Sequence, residues 1–140
     1  LIDKSRPISQ IHFGGGSPTA MPSSVLKEIN EHLLSLFPTI DKPEIAIECH
    51  PGYLTEEDWI NLTNSHFNRF SIGIQDLDDK VLKTVGRTPS NLPLETIIGI
   101  LRNAGATINM DFLFGLPYQT PEPRFRWYRW CEQEHHQDHR

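Results

Sequence analysis

Short runs of β-branched and aromatic residues recur along the chain, each bounded by residues that favour turns, which is typical of β-strands. They predict four strands, at residues 8–13, 44–48, 69–74 and 107–114. In two of these strands the apolar residues are consecutive, at 45–47 and 112–114. Consecutive apolar residues are expected where a strand is buried on both faces, as in a parallel sheet covered by helices.

Between the strands, apolar residues recur every three or four positions, which indicates amphipathic helices. The helices are predicted at residues 23–37, from Thr55 onward, at about 78–85, and from Pro93 to Gly105. The second helix has the clearest start. Thr55 can cap it, Asp58 completes a capping box three residues later, and Leu54 can pack on Trp59.

The predicted order is therefore β-α-β-α-β-α-α-β. Strands that alternate with helices pair in parallel through right-handed crossovers. The fold class is predicted to be α/β, with about four parallel strands, either as a piece of a barrel or as an open doubly wound sheet.

Composition limits the classes of partner. The chain has 140 residues, of which 37% are hydrophobic and 22% charged, as in soluble globular proteins. Its net charge of −5 would not attract nucleic acid or an anionic membrane. No apolar run is long enough to span a bilayer and no signal peptide opens the chain, so a cytoplasmic location is expected.

Both ends of the chain differ from those of a typical domain. The chain begins at Leu1 and soon enters a strand, so a preceding segment is expected. After Pro121 the sequence has no Ile, Leu, Val, Met or Ala. We therefore predict a partial domain at residues 1–121 and a disordered or out-of-frame tail at 122–140. A metal site in that tail is the weaker alternative, formed by Cys131, His135, His136 and His139.

Polar residues and glycines fall where the predicted strands end. Carboxyl ends of parallel strands are where ligands bind in such folds, because the strand-to-helix loops converge there. The residues are Gly14-Gly15-Gly16-Ser17, Glu48, Gln75, Asp76 and Asp111. Asp76 has a competing interpretation as a cap for the following helix. The glycine run is neither GxGxxG nor a P-loop, so the phosphate-cradle interpretations fail.

The glycine run continues as Gly-Gly-Gly-Ser-Pro-Thr, and this segment resembles the GGGTPT motif of oxygen-independent coproporphyrinogen III oxidases and their radical S-adenosylmethionine (SAM) relatives. The resemblance covers about residues 8–121 and its motifs follow in order. They are Ile11–Thr19, Ile45–Pro51 (IAIECHP), Asn68–Asp76 (NRFSIGIQD), Gly86-Arg87 and Met110–Pro121 (MDFLFGLPYQTP).

The resemblance implies strands two to five of a partial (β/α)6 barrel. It further implies an enzyme that reductively cleaves SAM at a [4Fe–4S] cluster to a 5′-deoxyadenosyl radical, and oxidatively decarboxylates coproporphyrinogen III in haem biosynthesis. Residue by residue, it implies that Gly15 and Gly16 line the methionyl end of SAM and that Glu48 bonds its ribose or amino group. Ser17, Gln75, Arg87 and Asp111 match positions that line a second SAM.

The cluster cysteines of that family, spaced CxxxCxxC, do not occur in this sequence. Cys49 and Cys131 lie far apart and are expected to be free thiols. No catalytic residue or metal ligand is therefore predicted within the chain. The chain is expected to be inactive alone, as a fragment of a cluster-containing parent.

Two alternatives stay open. A haem chaperone-like relative shares the motifs without the reaction, and Gln75-Asp76 leans towards the dehydrogenase, since the chaperone type tends to have Gln-Ser. In either case the partner is a small molecule, a porphyrinogen or haem. The alternative of another class is a non-enzymatic TIM-like module that binds a nucleotide in the same strand-end pocket.

Overall fold

The computed structural model of the chain describes residues 5–120. It contains four strands, β1 (Ile8–Phe13), β2 (Thr39–Cys49), β3 (Arg69–Gln75) and β4 (Thr107–Phe112). It also contains four α-helices, α1 (Ser23–Leu36), α2 (Glu56–Thr63), α3 (Asp79–Thr84) and α4 (Leu94–Asn103), with a 3-10 turn at Pro18–Ala20. This order confirms the predicted α/β class. The predicted tail at 122–140, with its Cys131 and histidines, lies outside the described residues.

The strands form one sheet in the order β1-β2-β3-β4. β2 pairs in parallel with β1 and with β3. β4 also runs parallel to β3, because Thr107 N–H donates to Asn68 O at one end and Leu113 N–H donates to Gln75 O at the other. Sequential strands joined by helices are therefore neighbours in a parallel sheet, as short right-handed crossovers require.

β2 begins at Thr39, five residues before the predicted start at 44, so the predicted start was wrong. Thr39 pairs with Ile8, and the register then shifts before Glu44 pairs with Gln10. Pro43 lies in this irregular stretch, where its missing N–H breaks no regular ladder bond. Pro43 therefore marks an irregularity within the strand.

Burial follows the position of each strand in the sheet. Ile45, Ala46 and Ile47 of the central strand β2 are at most 4% exposed, which confirms the prediction that this strand is buried on both faces. The same prediction for residues 112–114 was wrong, since Leu113 and Phe114 are 49% and 76% exposed. Those two residues follow the end of β4, where Gly115 turns the chain with φ +83°.

The described chain divides into two compact units. The first unit comprises the residues up to Gly73 together with Ser90–Asp111, and the second comprises Ile74–Pro89 together with the residues from Phe112 on. The core of the first unit consists mainly of Leu26, Ile45, Ile47, Leu54, Trp59, Leu62, Phe70, Ile72, Ile97 and Leu101. In the second unit Ile74, Val81 and Leu82 are buried. No helix in residues 5–120 is long and apolar enough to cross a membrane.

Two polar links join α1 to α2 in the first unit. The Ser23 hydroxyl donates to Asp58 Oδ1 at 2.6 Å. Two helical turns further along α1, Asn30 Nδ2 donates at 2.7 Å to the backbone O of Ser65, just after the end of α2. Both links join residues 35 positions apart, so the two helices run side by side in the same direction. Asp58 also forms the predicted capping box with Thr55, which is confirmed by bonds in both directions.

These bonds set the ionisation of Asp58. Burial by itself raises the pKa of this carboxyl, but the hydrogen bonds from the Ser23 hydroxyl and from Thr55 outweigh that effect and lower the pKa below its usual value. Since the folded-state pKa lies below the unfolded-state value, the carboxylate stabilises the fold above about pH 4. This contribution is lost as the pH falls through the folded-state pKa.

We therefore predict that Asp58→Asn lowers the free energy of unfolding by about 1 kcal/mol at pH 7, the usual contribution of a helix cap. The difference from wild type should shrink as the pH is lowered below about 4. Urea denaturation at a series of pH values measures it. Glu57→Gln is the matched control, since it removes the same charge from the same helical turn outside the capping box. An equal Asp58→Asn effect at pH 7 and at pH 3 would contradict the prediction.

Candidate functional site

A row of polar side chains crosses one face of the sheet in the first unit, with one residue from each strand. His12 of β1 contacts Glu48 of β2, with 3.1 Å between Nε2 and Oε1. Glu48 is paired in register with Ser71 of β3. The Ser71 hydroxyl in turn donates to Asp111 Oδ2 of β4 at 3.2 Å. The row therefore places Glu48 in register with Ser71, whose side chain bonds a second predicted ligand residue, Asp111.

Asp111 is held from two sides. Besides the bond from Ser71, its Oδ1 accepts a hydrogen bond from Asn109 Nδ2 at 3.0 Å. Asn109 also donates to Ser71 Oγ at 3.2 Å. Alternate residues of a strand share a face, so Asn109 and Asp111 project on the same side of β4. The three side chains form a small acceptor-rich cluster at an exposed end of the row.

The glycine loop after β1 lies against Glu48. Gly15 N–H points at Glu48 Oε2 at 3.4 Å, a long hydrogen bond. Gly15 and Gly16 have φ of +85° and +61°, the left-handed region that favours glycine. A Cβ on either residue would meet no other atom within 4 Å. Open space therefore adjoins a loop without side chains, beside a carboxylate, as a bound ligand requires.

The loop also has a structural anchor. Thr19, at its end, is buried, and its hydroxyl accepts a hydrogen bond from the backbone N–H of His50 at 2.9 Å. This bond ties the loop after β1 to the loop after β2. Ser17 precedes the 3-10 turn, and its carbonyl accepts from Ala20 N–H. Its side chain makes no capping bond there.

Cys49 is adjacent to Glu48 in sequence but lies on the opposite, buried face. Its side chain is 5% exposed, and burial, reinforced by the charge of Glu48, raises the pKa of its thiol far above the usual value. A thiol must lose its proton to bind iron. Cys49 is therefore unsuited to hold a cluster, and no group of three His, Cys, Asp or Glu suited to a metal ion occurs among residues 5–120.

Gln75 and Arg87 lie in the second unit. Gln75 ends β3 with φ +68°, an uncommon conformation for a residue with a side chain. Strained backbone of this kind concentrates at functional sites. Arg87 follows α3 with its backbone N–H bonded to Leu82 O.

Asp76, next to Gln75, has a structural role. Its side chain is buried, and its Oδ1 accepts from Asp78 N–H at 2.8 Å. Asp78, not Asp76, is the N-cap of α3, with its own side chain accepting from Lys80 N–H, so the interpretation of Asp76 as the cap was wrong. Asp76 Oδ2 accepts from Gln119 Nε2 at 2.5 Å. Gln119 also accepts from Gly115 and Leu116 N–H groups, so it holds the turn after β4 in place.

Of the seven predicted ligand residues, the first unit therefore contains Gly15, Gly16, Ser17, Glu48 and Asp111, and the second contains Gln75 and Arg87. Sequence reasoning missed His12, Ser71 and Asn109. The available signal was the two-residue period: His12, Ser71 and Asn109 are polar residues that precede the ends of their strands. Only the register shows which of them face Glu48 and Asp111.

A parallel α/β sheet with ligand-type residues at and before its strand ends defines a barrel-type or doubly wound binding fold. Residues 1–131 match the radical SAM superfamily. The chain is 35% identical over 115 residues to the oxygen-independent coproporphyrinogen III oxidase of Paracoccus denitrificans, covering 81% of this chain and 26% of that protein. It is 31% identical over 117 residues to the heme chaperone HemW of Buchnera aphidicola, covering 84% of this chain and 31% of that protein.

A solved structure described as the radical SAM enzyme HemN, a coproporphyrinogen III oxidase from Escherichia coli, has the same fold. The TM-score is 0.75 at 32% identity, over 91% of this chain and 30% of that one. The chain belongs to the radical SAM superfamily, and its sheet corresponds to part of a radical SAM barrel. It spans about a quarter to a third of the length of the curated relatives. The domain boundary at 121 stays a prediction.

The conformation of Gln75 leads to a test. At an ordinary position glycine is less favourable than alanine by about 0.5–1 kcal/mol. At φ +68° the order should reverse, because the alanine Cβ clashes in the left-handed region at a cost of about 1–2 kcal/mol. We predict that Gln75→Gly is more stable to urea than Gln75→Ala. The same pair of substitutions at Gln10 of β1 is the control and should show the ordinary order. A more stable Gln75→Ala would contradict the prediction.

Proposed function

We propose that this chain supplies the SAM-binding strand ends of an enzyme of the oxygen-independent coproporphyrinogen III oxidase type. The single observation that carries the proposal is the placement of Glu48 beside the Gly15-Gly16 loop, where a Cβ on either glycine would meet open space. The similarity to curated coproporphyrinogen III oxidases supports this class of enzyme. Oxidative decarboxylation of coproporphyrinogen III is the proposed reaction, and the cytoplasm is the proposed location.

The residues present fit SAM. Its ammonium group and ribose hydroxyls are hydrogen-bond donors, and Glu48 is an acceptor-only group when ionised. Gly15 and Gly16 place no side chain between the ligand and the backbone. In the first unit Asp111 offers a second carboxylate, held in place by Ser71 and Asn109. Ser17, Gln75 and Arg87 stay proposed ligand residues on the strength of the family resemblance.

The residues present do not fit the [4Fe–4S] cluster. The sequence has no CxxxCxxC, and Cys49 is a buried, protonated thiol. We propose that the cluster is held by cysteines outside this sequence. When bound, SAM supplies the hydrogen-abstracting chemistry of the superfamily. The part played by this chain is to bind and orient it: Glu48 fixes a donor group, and the glycine loop sets the depth of the pocket.

A haem chaperone function is the second candidate, since the similarity to the heme chaperone HemW is nearly as high. Both functions use the same SAM residues, so they differ in what the longer protein does with its porphyrin. Consumption of coproporphyrinogen III by the longer protein distinguishes the two functions. The oxidase consumes it, whereas a haem chaperone binds haem and leaves coproporphyrinogen III unchanged. A third candidate is a nucleotide-binding module without enzymatic activity. Binding of adenosine compounds without preference for SAM would favour this candidate.

Glu48 tests the binding proposal directly. We predict that Glu48→Gln weakens SAM binding to the 140-residue chain by about 1–3 kcal/mol, the contribution of a hydrogen bond to a charged group. Ligand-observed NMR titration suits the weak affinity expected without the cluster. Glu44→Gln is the matched control, since Glu44 lies earlier on β2 and pairs with Gln10 and Arg69. Equal SAM affinity in wild type and Glu48→Gln would contradict the proposal.

A further inference from the structure

His12 contacts the carboxylate on which the proposed SAM site depends. Its Nε2 lies 3.1 Å from Glu48 Oε1. A carboxylate oxygen can only accept, so His12 Nε2 is the donor. Gly15 N–H lies nearest the other oxygen, Oε2, at 3.4 Å. The two oxygens of Glu48 therefore have different partners: Oε1 is bonded to a side chain, and Oε2 faces the glycine loop.

The His12–Glu48 pair is too exposed to contribute much to the stability of the fold. The side chains of His12 and Glu48 are 52% and 45% exposed. Exposed ion pairs typically contribute about 0–1 kcal/mol to folding. A fixed orientation of this half-exposed carboxylate is more important for ligand binding than for folding, because a ligand can bond to it only in a defined geometry.

Gly14 shows that the sequence makes room for this pair. A Cβ on Gly14 would lie 2.6 Å from His12 Nε2 and 2.8 Å from Glu48 Oε1, both far too close. Gly14 is not among the glycines with positive φ. An alanine at position 14 would therefore force the His12 and Glu48 side chains to move, whereas Gly15 is favoured by its positive φ.

We propose that His12 is a positioning residue for SAM binding: it holds Oε1 of Glu48 so that Oε2 stays beside the glycine loop, where it accepts a hydrogen bond from the ligand. This inference rests on the proposed function, since it requires Glu48 to bind SAM. It assigns to His12 no contact with the ligand itself, and it assigns to Gly14 the role of leaving space for the pair.

The test uses SAM titrations of the 140-residue chain. His12→Phe keeps a ring but loses the donor, and we expect about three- to tenfold weaker SAM binding. His12→Gln restores an N–H at a similar reach and should stay within about twofold of wild type. Gly14→Ala displaces the pair from the backbone side and should reproduce the His12→Phe loss. Gln10→Leu removes the neighbouring cross-strand pair with Glu44 and should leave SAM affinity unchanged.

A double-variant cycle separates positioning from direct contact. In a Glu48→Ala background, His12→Phe should cause no further loss, because the carboxylate it positions is gone. A further loss of the same size would show that His12 contacts the ligand and would overturn the inference. Unchanged affinity in His12→Phe alone, with Glu48→Ala weakened, would also overturn it while leaving the proposed function intact.

A ligand-free measurement keeps the inference testable if the proposed function fails. If Glu48→Ala leaves SAM affinity unchanged, Glu48 is not a ligand residue and the positioning of SAM by His12 is overturned with it. The geometric part is then decided by the Gly15 amide signal in ¹H–¹⁵N spectra. It should shift in His12→Phe and stay in place in His12→Gln. An unchanged signal in His12→Phe would show that His12 does not orient Glu48.

Discussion

The parallel pairing of β2 with both of its neighbours is the constraint on which the rest of the structure depends. In this register His12 is opposite Ala46, and Glu48 is opposite Ser71. All four side-chain positions then lie on defined faces, because side chains alternate along a strand. A slip by one residue would move Glu48 to the opposite face and bring Cys49 to the ligand face. Such a slip is unfavourable because it would place the charged Glu48 side chain on the buried face that Cys49 occupies.

The helices reinforce the same register. The links from Ser23 to Asp58 and from Asn30 to Ser65 join equivalent positions of α1 and α2. Buried polar groups contribute specificity because only one alignment satisfies them. The Thr19 hydroxyl does the same for the two loops at the strand ends by accepting from His50 N–H. The glycine loop is thus held at its base while its tip stays open to a ligand.

Several residues in the family-like motifs therefore have structural roles. Thr19 ends the Gly-Gly-Gly-Ser-Pro-Thr segment and anchors a loop. Asp76 and Gln119 belong to two different motifs, and they are joined by a hydrogen bond in the second unit. A motif residue therefore indicates family membership, and by itself it does not indicate contact with a ligand. Glu48 and the Gly15-Gly16 pair are distinguished from these residues by open space next to them.

The sequence by itself determined the elements and the ends at which ligand residues gather. Within residues 5–120 apolar periodicity located the four strands and the four α-helices but not the 3-10 turn at Pro18–Ala20. The Thr55–Asp58 box marked the start of α2, because these signals depend on residues close in sequence. The start of β2, the exposure of Leu113 and Phe114, and the contact between His12 and Glu48 were decided by the tertiary structure. Each depends on which strand lies beside which and in what register, and pairing between residues 31 to 36 positions apart leaves no local pattern. Only the folded sheet brings the imidazole, the carboxylate and the glycine backbone within hydrogen-bonding distance.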